Sequence, residues 1–251
     1  MTTLVLINII RSLLLSLEAS YSFHAGDGRH SLHTTFSNVA RGILGHLLQN
    51  KFFIIYSGIL YATFNMSYAE RHNNVTFLSF VICLFILDFV GYLIHKAHHQ
   101  FSFLWALHSV HHSDKKVNLS TRFRVSWLEQ AYSFIAIVPV LLLGFNILTI
   151  ITATYVINLF SLFCHNCYIN LPRFVDHLFI TPENHRVHHD EHMENQNSNY
   201  GNLFSIWDRM FGTFVRTKEN IVFGIKGYHQ DNFIKMETEP IIDYVKKLRI
   251  N

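Results

Sequence analysis

The sequence predicts an all-α integral membrane protein: a bundle of about four transmembrane helices with a cytosolic helical cap that carries its histidine motifs. Half of the 251 residues are hydrophobic, 15% are charged and 23 are phenylalanine. The mean hydropathy is +0.21, and four long apolar stretches alternate with polar segments. This balance favours a membrane protein over a soluble one, and the length suits one domain with a small appendage.

The net charge and the cysteines exclude other classes. A net charge of +3 with neutral histidines is too small to indicate nucleic-acid binding, and no basic tail or aromatic platform supports such a partner. The odd number of cysteines, Cys83, Cys164 and Cys167, gives no disulfide framework. Cys164 and Cys167 form a CxxC pair that suits redox or metal chemistry, although we favour simple packing in an apolar helix.

The chain begins with an apolar segment, MTTLVLINIIRSLLLSL, that resembles a signal sequence. Arg11 interrupts it and no small-residue cleavage site follows cleanly, so we predict a short membrane-associated helix. Residues 24–41 are polar and predict a loop. Three units follow from this division: an N-terminal segment at 1–42, the transmembrane domain with the histidine motifs at 43–216, and a tail at 217–251 that packs on the cap.

The four apolar stretches come in two pairs, at about 43–65 and 75–94 and at about 131–148 and 149–166. A transmembrane helix needs ~20 mainly apolar residues, which the stretch at 75–94 supplies. The second pair is tight for two full crossings and also suits a short hairpin that barely spans or re-enters the membrane.

The two crossings of the second pair place residues 95–130 and 167–251 on the same side of the membrane. Four basic side chains mark that side as cytoplasmic, because cytoplasmic loops are enriched in lysine and arginine. They are Lys115, Lys116, Arg122 and Arg124.

Eighteen histidines are unusually many for this length, and half of them lie in three short motifs. HKAHH occupies 95–99, and HSVHH at 108–112 is repeated in spacing by HRVHH at 185–189. On a helix, positions i and i+4, or i, i+3 and i+4, share one face. At 100° per residue, His98 lies roughly 80° away from the stripe that His95 and His99 form with Asp88 and Tyr92, and we expect it to be a bystander. His165, at the end of the last apolar stretch, completes the set.

These motifs predict a metal centre. Neutral imidazoles cannot be buried together without hydrogen-bond or metal partners. One zinc site needs three or four ligands, so this set suits two metal ions with four or five nitrogens each. Imidazole binds Fe, Zn, Cu and Ni alike, so the residues leave the metal open. The predicted ligands are His95, His99, His108, His111, His112, His165, His185, His188 and His189.

Five further side chains are predicted to support the ligands: Asp88, Tyr92, Asn199, Tyr200 and Asp208. Asp88 and Tyr92 continue the helical stripe of the first motif, and a carboxylate near the end of a membrane span is costly unless it has a function. We expect Asp88 to accept a ring N–H of a ligand and fix its tautomer, and Tyr92 to do the same or to contact bound oxygen. The other three follow the third motif, in a segment that also suits the membrane interface. Asp190 and His192 are expected to be solvated.

From about 80 to 216 the chain resembles the fatty acid hydroxylase/sterol desaturase superfamily of membrane di-iron enzymes. DFVGYLIHKAHHQFSFLWALHSVHHSDKKVNLSTRFR looks like its first two histidine boxes and FCHNCYINLP like its isolated-histidine segment. TPENHRVHH and NYGNLFSIWDRMFGTF look like its third box and trailing signature. The resemblance implies O₂-dependent hydroxylation or desaturation of a C–H bond in a lipid such as a fatty acyl chain, sterol or alkyl ether lipid. It also implies that the nine histidines hold two iron ions.

Two positions depart from the family pattern. Lys96 stands where the first box usually has arginine, and Ile169 stands where some members have a further histidine. A tenth ligand would then be Asn166, water or another histidine such as His177. No cytochrome b5-like stretch is visible, so the resemblance implies a separate electron donor, either cytochrome b5-like or a ferredoxin with its reductase.

Two other functions stay open on the residues alone: a zinc-dependent membrane hydrolase and a non-enzymatic metal-binding membrane protein. A metal carrier favours ligands along a path through the spans, whereas here they collect at helix ends on one side. We expect a bacterial inner membrane with a cytoplasmic metal site, because the chain is compact and lacks a recognisable retention signal; in a eukaryote we expect the endoplasmic reticulum. The sequence does not determine which lipid, which carbon or which oligomeric state.

Overall fold

The computed structural model describes residues 2–28, 30–63, 75–216, 220–226, 228 and 232–248. In these ranges the protein is helical, and its extended pairings are two isolated bridges. The prediction of an all-α fold is confirmed. The α-helices are α1 (Thr2–Ala25), α2 (Leu32–Thr63), α3 (Phe77–Gln100), α4 (Ser102–His112), α5 (Trp127–Tyr132), α6 (Val138–Leu142), α7 (Ile147–Cys164), α8 (Pro182–His188), α9 (Met193–Gln196), α10 (Ile206–Met210) and α11 (Phe233–Leu248).

Helices α3 and α7 are long and apolar enough to cross a membrane. In an apolar stretch of 18 residues in each helix, only 22% of the residues of α3 and 33% of those of α7 are buried inside the protein. A core helix of a soluble protein buries most of its apolar surface, whereas these two leave it exposed, as a lipid-facing helix does. They indicate a membrane protein. The count of four spans stays a prediction.

α3 and α7 pack against each other through a small apolar core. Cys83 and Leu87 of α3 meet Ile150 and Ala153 of α7 in this core, and all four are buried. α3 begins at a capping box, in which Thr76 and Ser79 each bond the other's backbone N–H. Its last turns carry the first histidine motif, and His165 directly follows α7. The two helices therefore bring histidines to the same end of the packed pair.

The predicted loop at 24–41 is wrong beyond its first residues, because α2 begins at Leu32. Its polar side chains are paired inside the protein instead of facing water. The Asn38 amide donates to Asp114 at 3.3 Å and to Ser120 at 3.1 Å, and Arg41 is fully buried against Glu237. α2 runs through residue 42, where the sequence predicts a unit boundary, and residues 64 and 65 of the first apolar stretch lie outside the described ranges.

The apolar stretch at 131–148 is not one helix. α5 is followed by a 3-10 helix at Ser133–Ile137 and then by the five-residue α6, which has Pro139 in its first turn. A turn with Gly144 at φ 79° leads into α7, a left-handed conformation that glycine adopts without strain. This first arm of the second pair is therefore broken into short helices, and whether the pair spans the membrane or forms a short hairpin stays a prediction.

Both ends of the chain are tied to the segments that surround the histidines. Glu18 of α1 is buried, and its carboxylate accepts hydrogen bonds from the Asn166 side chain at 2.9 Å and from Leu119 N–H at 2.7 Å. Glu237 of α11 pairs with Arg41 and accepts from Trp127 N–H at 3.2 Å. α1 and α11 thus brace the loops that follow α7 and precede α5.

Candidate metal centre

The structure brings all nine predicted histidines together in two clusters. In each cluster the nitrogens that face one another lie within 4.8 Å. The clusters adjoin, since the rings of His112 and His189 are stacked with centroids 4.5 Å apart. One cluster contains His95, His99, His108, His112 and His188, and the other contains His111, His165, His185 and His189.

Three helix ends and one loop supply these side chains. Phe101 caps the end of α3 and the beginning of α4, so the histidine motifs of the two helices lie side by side. α8 starts at a capping box between Thr181 and Asn184 with proline in its first turn, which fixes where its histidines point. Because each of the two HxxHH motifs is split between the clusters, neither cluster forms without both helices.

Several ring N–H groups point at acceptors that fix their tautomers. Backbone carbonyls accept from four Nδ1 atoms: Tyr200 O from His95 at 2.8 Å, Ser198 O from His188 at 2.7 Å, Ser161 O from His165 at 2.7 Å and Arg124 O from His111 at 3.2 Å. For His108 the acceptor is the Glu129 carboxylate, at 3.0 Å. A carbonyl can only accept, so each of these nitrogens carries the hydrogen and the opposite Nε2 presents a lone pair to the cluster.

The resulting arrangement fits metal ions. His111 and His165 both donate from Nδ1, yet their Nε2 atoms are 3.1 Å apart. The same holds for His95 and His108, whose Nε2 atoms are also 3.1 Å apart. Two lone pairs at this distance repel each other unless a cation lies between them. Two imidazole nitrogens bound at right angles to one ion, each at the zinc distance of about 2.1 Å, are about 3.0 Å apart.

Other buried ring nitrogens of the clusters have no hydrogen-bond partner among the described residues. They include both nitrogens of His99 and of His112, Nε2 of His188, and Nδ1 of His185 and of His189. Buried polar atoms are nearly always paired, so this many nitrogens in one place without a protein partner fit a site that binds metal ions.

Burial keeps the histidines of the second and third motifs neutral. It lowers the pKa of His108, His111, His112, His185, His188 and His189 well below the ordinary 6.5, and neighbouring imidazoles lower each pKa further. Neutral imidazole is the form that binds a metal ion. The site is therefore in its metal-binding state near neutral pH.

The prediction that Asp88 accepts a ring N–H is wrong. Its carboxylate accepts from the backbone N–H groups of Leu203 at 2.9 Å and Phe204 at 3.1 Å, and from the Trp207 indole at 2.8 Å. The Tyr92 hydroxyl lies 3.0 Å from the Thr213 hydroxyl and does not reach a histidine. Both residues fasten α3 to the segment after α8, and that segment in turn holds histidines.

The three predicted supporting residues of that segment act at different distances from the clusters. Tyr200 accepts from His95 through its carbonyl, and its ring packs on His99 at 5.2 Å between centroids. Asp208 accepts from the N–H groups of Tyr200 and Gly201, both at 2.8 Å. Burial raises the pKa of Asp208 to about 6. The Asn199 side-chain amide, on a residue with φ 53°, donates to the carbonyls of Asn184 in α8 and of Val215. It does not bond a histidine of the described residues.

Residues 80–213, more than half of the chain, match the model of the fatty acid hydroxylase family. The chain belongs to the fatty acid hydroxylase family. The resemblance that the sequence motifs carry is thereby confirmed.

Relatives in this family carry the names of lipid oxygenases. Alkylglycerol monooxygenase of Xenopus tropicalis is 35% identical over 55% of this chain and 31% of its own length. Ornithine lipid hydroxylase of Rhizobium tropici is 29% identical over 64% of this chain and 49% of its own length. Human cholesterol 25-hydroxylase is 31% identical over 53% and 50% of the two chains. The aligned part spans about a third to a half of these relatives, and no solved structure shows a significant match.

The positions at which this member departs from the family pattern lie outside both clusters. Ile169 is partly exposed, and the Asn166 side-chain oxygen accepts from the N–H groups of Tyr168 and Ile169. His177 is exposed. Asn166, Ile169 and His177 all lie outside the two clusters. Lys96 reaches the Phe211 ring, with its ammonium 5.6 Å from the centroid.

Two residues near the clusters differ from, or were missed by, the sequence analysis. Asp190 is buried, not solvated, and accepts from the Asn195 amide at 2.6 Å, whereas His192 is exposed as expected. Glu129 was missed. The signal for it was a lone acidic residue just before an apolar stretch, where a charge is costly without a function.

Proposed function

We propose that this protein is an O₂-dependent di-iron oxygenase that hydroxylates a C–H bond of a membrane lipid, with desaturation as the related outcome. Nine histidines in two adjoining clusters support two metal ions. The names of the relatives support a lipid substrate. When bound, the iron ions would supply the activation of O₂ that such a reaction requires.

A single observation carries the proposal: Nε2 lone pairs of neutral, oriented imidazoles face each other at 3.1 Å in both clusters. This all-nitrogen set differs from the carboxylate-rich set of soluble di-iron bundles. In the proposed reaction the protein's residues hold the ions and orient the imidazoles through carbonyls and one carboxylate. The buried surroundings also exclude water from the clusters.

The position of the clusters suits a substrate that lies in the bilayer. His95 and His99 belong to α3 itself, whose apolar side chains Leu78, Ile82 and Leu93 are exposed. A lipid chain beside α3 therefore reaches the clusters without leaving an apolar environment. We propose that this end of the bundle faces the cytoplasm. Lys115 and Lys116 are exposed there, in keeping with the positive-inside tendency.

Electrons for the reaction would come from a separate protein, cytochrome b5-like or a ferredoxin with its reductase. We propose a bacterial inner membrane as the location, with the endoplasmic reticulum as the equivalent in a eukaryote.

The decisive experiment is turnover under ¹⁸O₂. The purified protein, loaded with iron and supplied with a reductant and donor, is incubated with a membrane lipid extract, and products are analysed by mass spectrometry. We expect one ¹⁸O atom in a hydroxylated lipid. Lipid turnover without oxygen would instead identify a hydrolase, and metal binding without any lipid product would identify a non-enzymatic protein.

Variants of single histidines test the ligand set. His111→Ala and His188→Ala each remove a cluster member, so we expect loss of bound metal and of lipid hydroxylation together. His177→Ala and His192→Ala are matched controls, because both side chains are exposed and outside the clusters. Full activity in either cluster variant would contradict the ligand set.

A further inference from the structure

We propose that Glu129 is a positioning residue that orients His108 and makes the two metal sites unequal. Its carboxylate gives the five-histidine cluster a negative charge that the four-histidine cluster lacks among the described residues. The inference rests on the proposed function, because it concerns the same pair of metal ions.

The contact between Glu129 and His108 is short and buried. Glu129 Oε1 lies 3.0 Å from His108 Nδ1, and the two side chains are 12% and 6% exposed. On the opposite side of the ring, His108 Nε2 is 3.1 Å from His95 Nε2. A carboxylate that accepts the Nδ1–H fixes this tautomer and aims the Nε2 lone pair into the cluster.

His98 packs on the His108 ring and is itself held by Tyr132. The His98 ring is stacked on His108, with centroids 5.0 Å apart and planes at 5°. His98 Nε2 lies 2.7 Å from the Tyr132 hydroxyl. Tyr132 and Glu129 are three residues apart on α5, so they share one face of that helix. The predicted bystander is thus a packing partner of a cluster member.

The carboxylate distinguishes His108 from the other oriented histidines. The four that donate to backbone carbonyls have neutral acceptors, and in the four-histidine cluster both observed acceptors, Ser161 O and Arg124 O, are of this kind. A hydrogen bond to a carboxylate is stronger than one to a carbonyl and makes the imidazole a better electron donor. The ion in the five-histidine cluster should therefore be bound more tightly and be harder to reduce.

A competing use of the same residues is a third cation site. His98, His108 and Glu129 place one ligand atom each within 4.8 Å of one another, and Oε2 of Glu129 has no partner among the described residues. Against this, His108 Nδ1 faces Oε1 at hydrogen-bond distance, so its hydrogen occupies the place that such a cation would take. The experiment separates the two uses.

The test is Glu129→Gln, which keeps the size and removes the charge. Metal-free wild-type and variant proteins are titrated with Fe²⁺ and, as a spectroscopic probe, Co²⁺, and ions per chain and affinities are measured. We expect wild type to bind two ions and Glu129→Gln to bind one of them about 10–100-fold more weakly, with the other unchanged. We also expect one of the two iron reduction potentials to rise.

Glu183→Gln is the matched control. Glu183 lies in α8 close to the third motif, and its carboxylate accepts from Leu171 N–H at 2.6 Å, with no hydrogen bond to a histidine. We expect it to leave both affinities unchanged. Should Glu129→Gln not fold, Glu129→Asp keeps the charge but shortens the reach, and we expect a smaller, equally selective loss.

Three outcomes overturn the inference. Unchanged affinities in Glu129→Gln would show that the carboxylate does not act on the site. An equal loss of affinity for both ions together with a lower melting temperature would show a purely structural role. Three ions in wild type and two in the variant would establish the cation site instead. Failure of wild type to bind two ions would contradict the proposed function itself.

Discussion

Asp88 shows how a buried carboxylate in an apolar helix can serve the backbone of another segment. It is fully buried and accepts two backbone N–H groups and one indole N–H from residues 203–207. The same loop carries Tyr200, whose carbonyl orients His95. Asp88 therefore acts on the cluster through the position of a loop and not through a ligand.

This role predicts a particular effect of Asp88→Asn. The amide keeps one acceptor oxygen and turns a donor toward an N–H group, which leaves buried donors unpaired. We expect a loss of about 1–3 kcal/mol in the free energy of unfolding for each unpaired group. The measurement is the thermal-unfolding midpoint in detergent. The exposed Asp243→Asn is the control and should change it little.

If Asp88 instead held a ligand directly, metal affinity would fall in Asp88→Asn at temperatures where the variant is fully folded. A selective loss of one ion with an unchanged thermal-unfolding midpoint would contradict the role in the loop.

At the scale of elements, α3 combines two tasks. Its first five turns expose apolar side chains, and its last turns carry His95 and His99. Because this candidate span ends in the site, it would set the depth of bound metal ions relative to the bilayer. The same depth is set by α7, because His165 directly follows that helix.

A charge on the exposed face of α3 should therefore impair insertion. Ile82 is 44% exposed and lies within the apolar window. We expect Ile82→Lys to reduce the membrane-integrated fraction, because lysine at the centre of a span costs about 2.5–3.5 kcal/mol on insertion scales. Carbonate extraction of membranes that contain the variant measures this fraction.

Ile242→Lys in α11 is the matched control. Ile242 is 48% exposed and lies outside both candidate spans. It should leave membrane integration unchanged. Equal extraction of both variants would contradict the assignment of α3 as a span.

For the whole molecule, the buried histidines link stability to pH. The pKa values of the six histidines of the second and third motifs lie well below the ordinary 6.5 in the folded protein. As the pH falls through 6.5, the unfolded chain takes up protons that the folded chain does not. Unfolding therefore becomes more favourable, by up to about 1.4 kcal/mol per pH unit for each such histidine.

We expect the thermal-unfolding midpoint of the metal-free protein to fall steeply between about pH 7 and about pH 5. His189→Ala, which removes one of the six, should flatten this dependence. A midpoint that stays constant or rises on acidification would show that the histidines are protonated in the folded state.

The sequence alone determined the helical class, the two helices that suit a membrane and the histidines that gather, because these depend on composition and on the helical period. His112, for example, is predicted to lie on the same helix face as His108 from their spacing of four residues alone. The helical start of α2 could not be predicted from its polar residues, because the partners of these residues, such as Glu237, lie far along the chain.

Only the tertiary structure decided how the histidines divide into five and four, and what orients them. Four of the observed acceptors are backbone carbonyls, which every residue possesses and which therefore leave no trace in the sequence. The fifth, Glu129, carries a weak signal in the sequence, but its partner His108 is known only once folding places α5 beside α4. The candidate ligands could thus be predicted from the sequence, whereas the groups that orient them depend on how the helices pack.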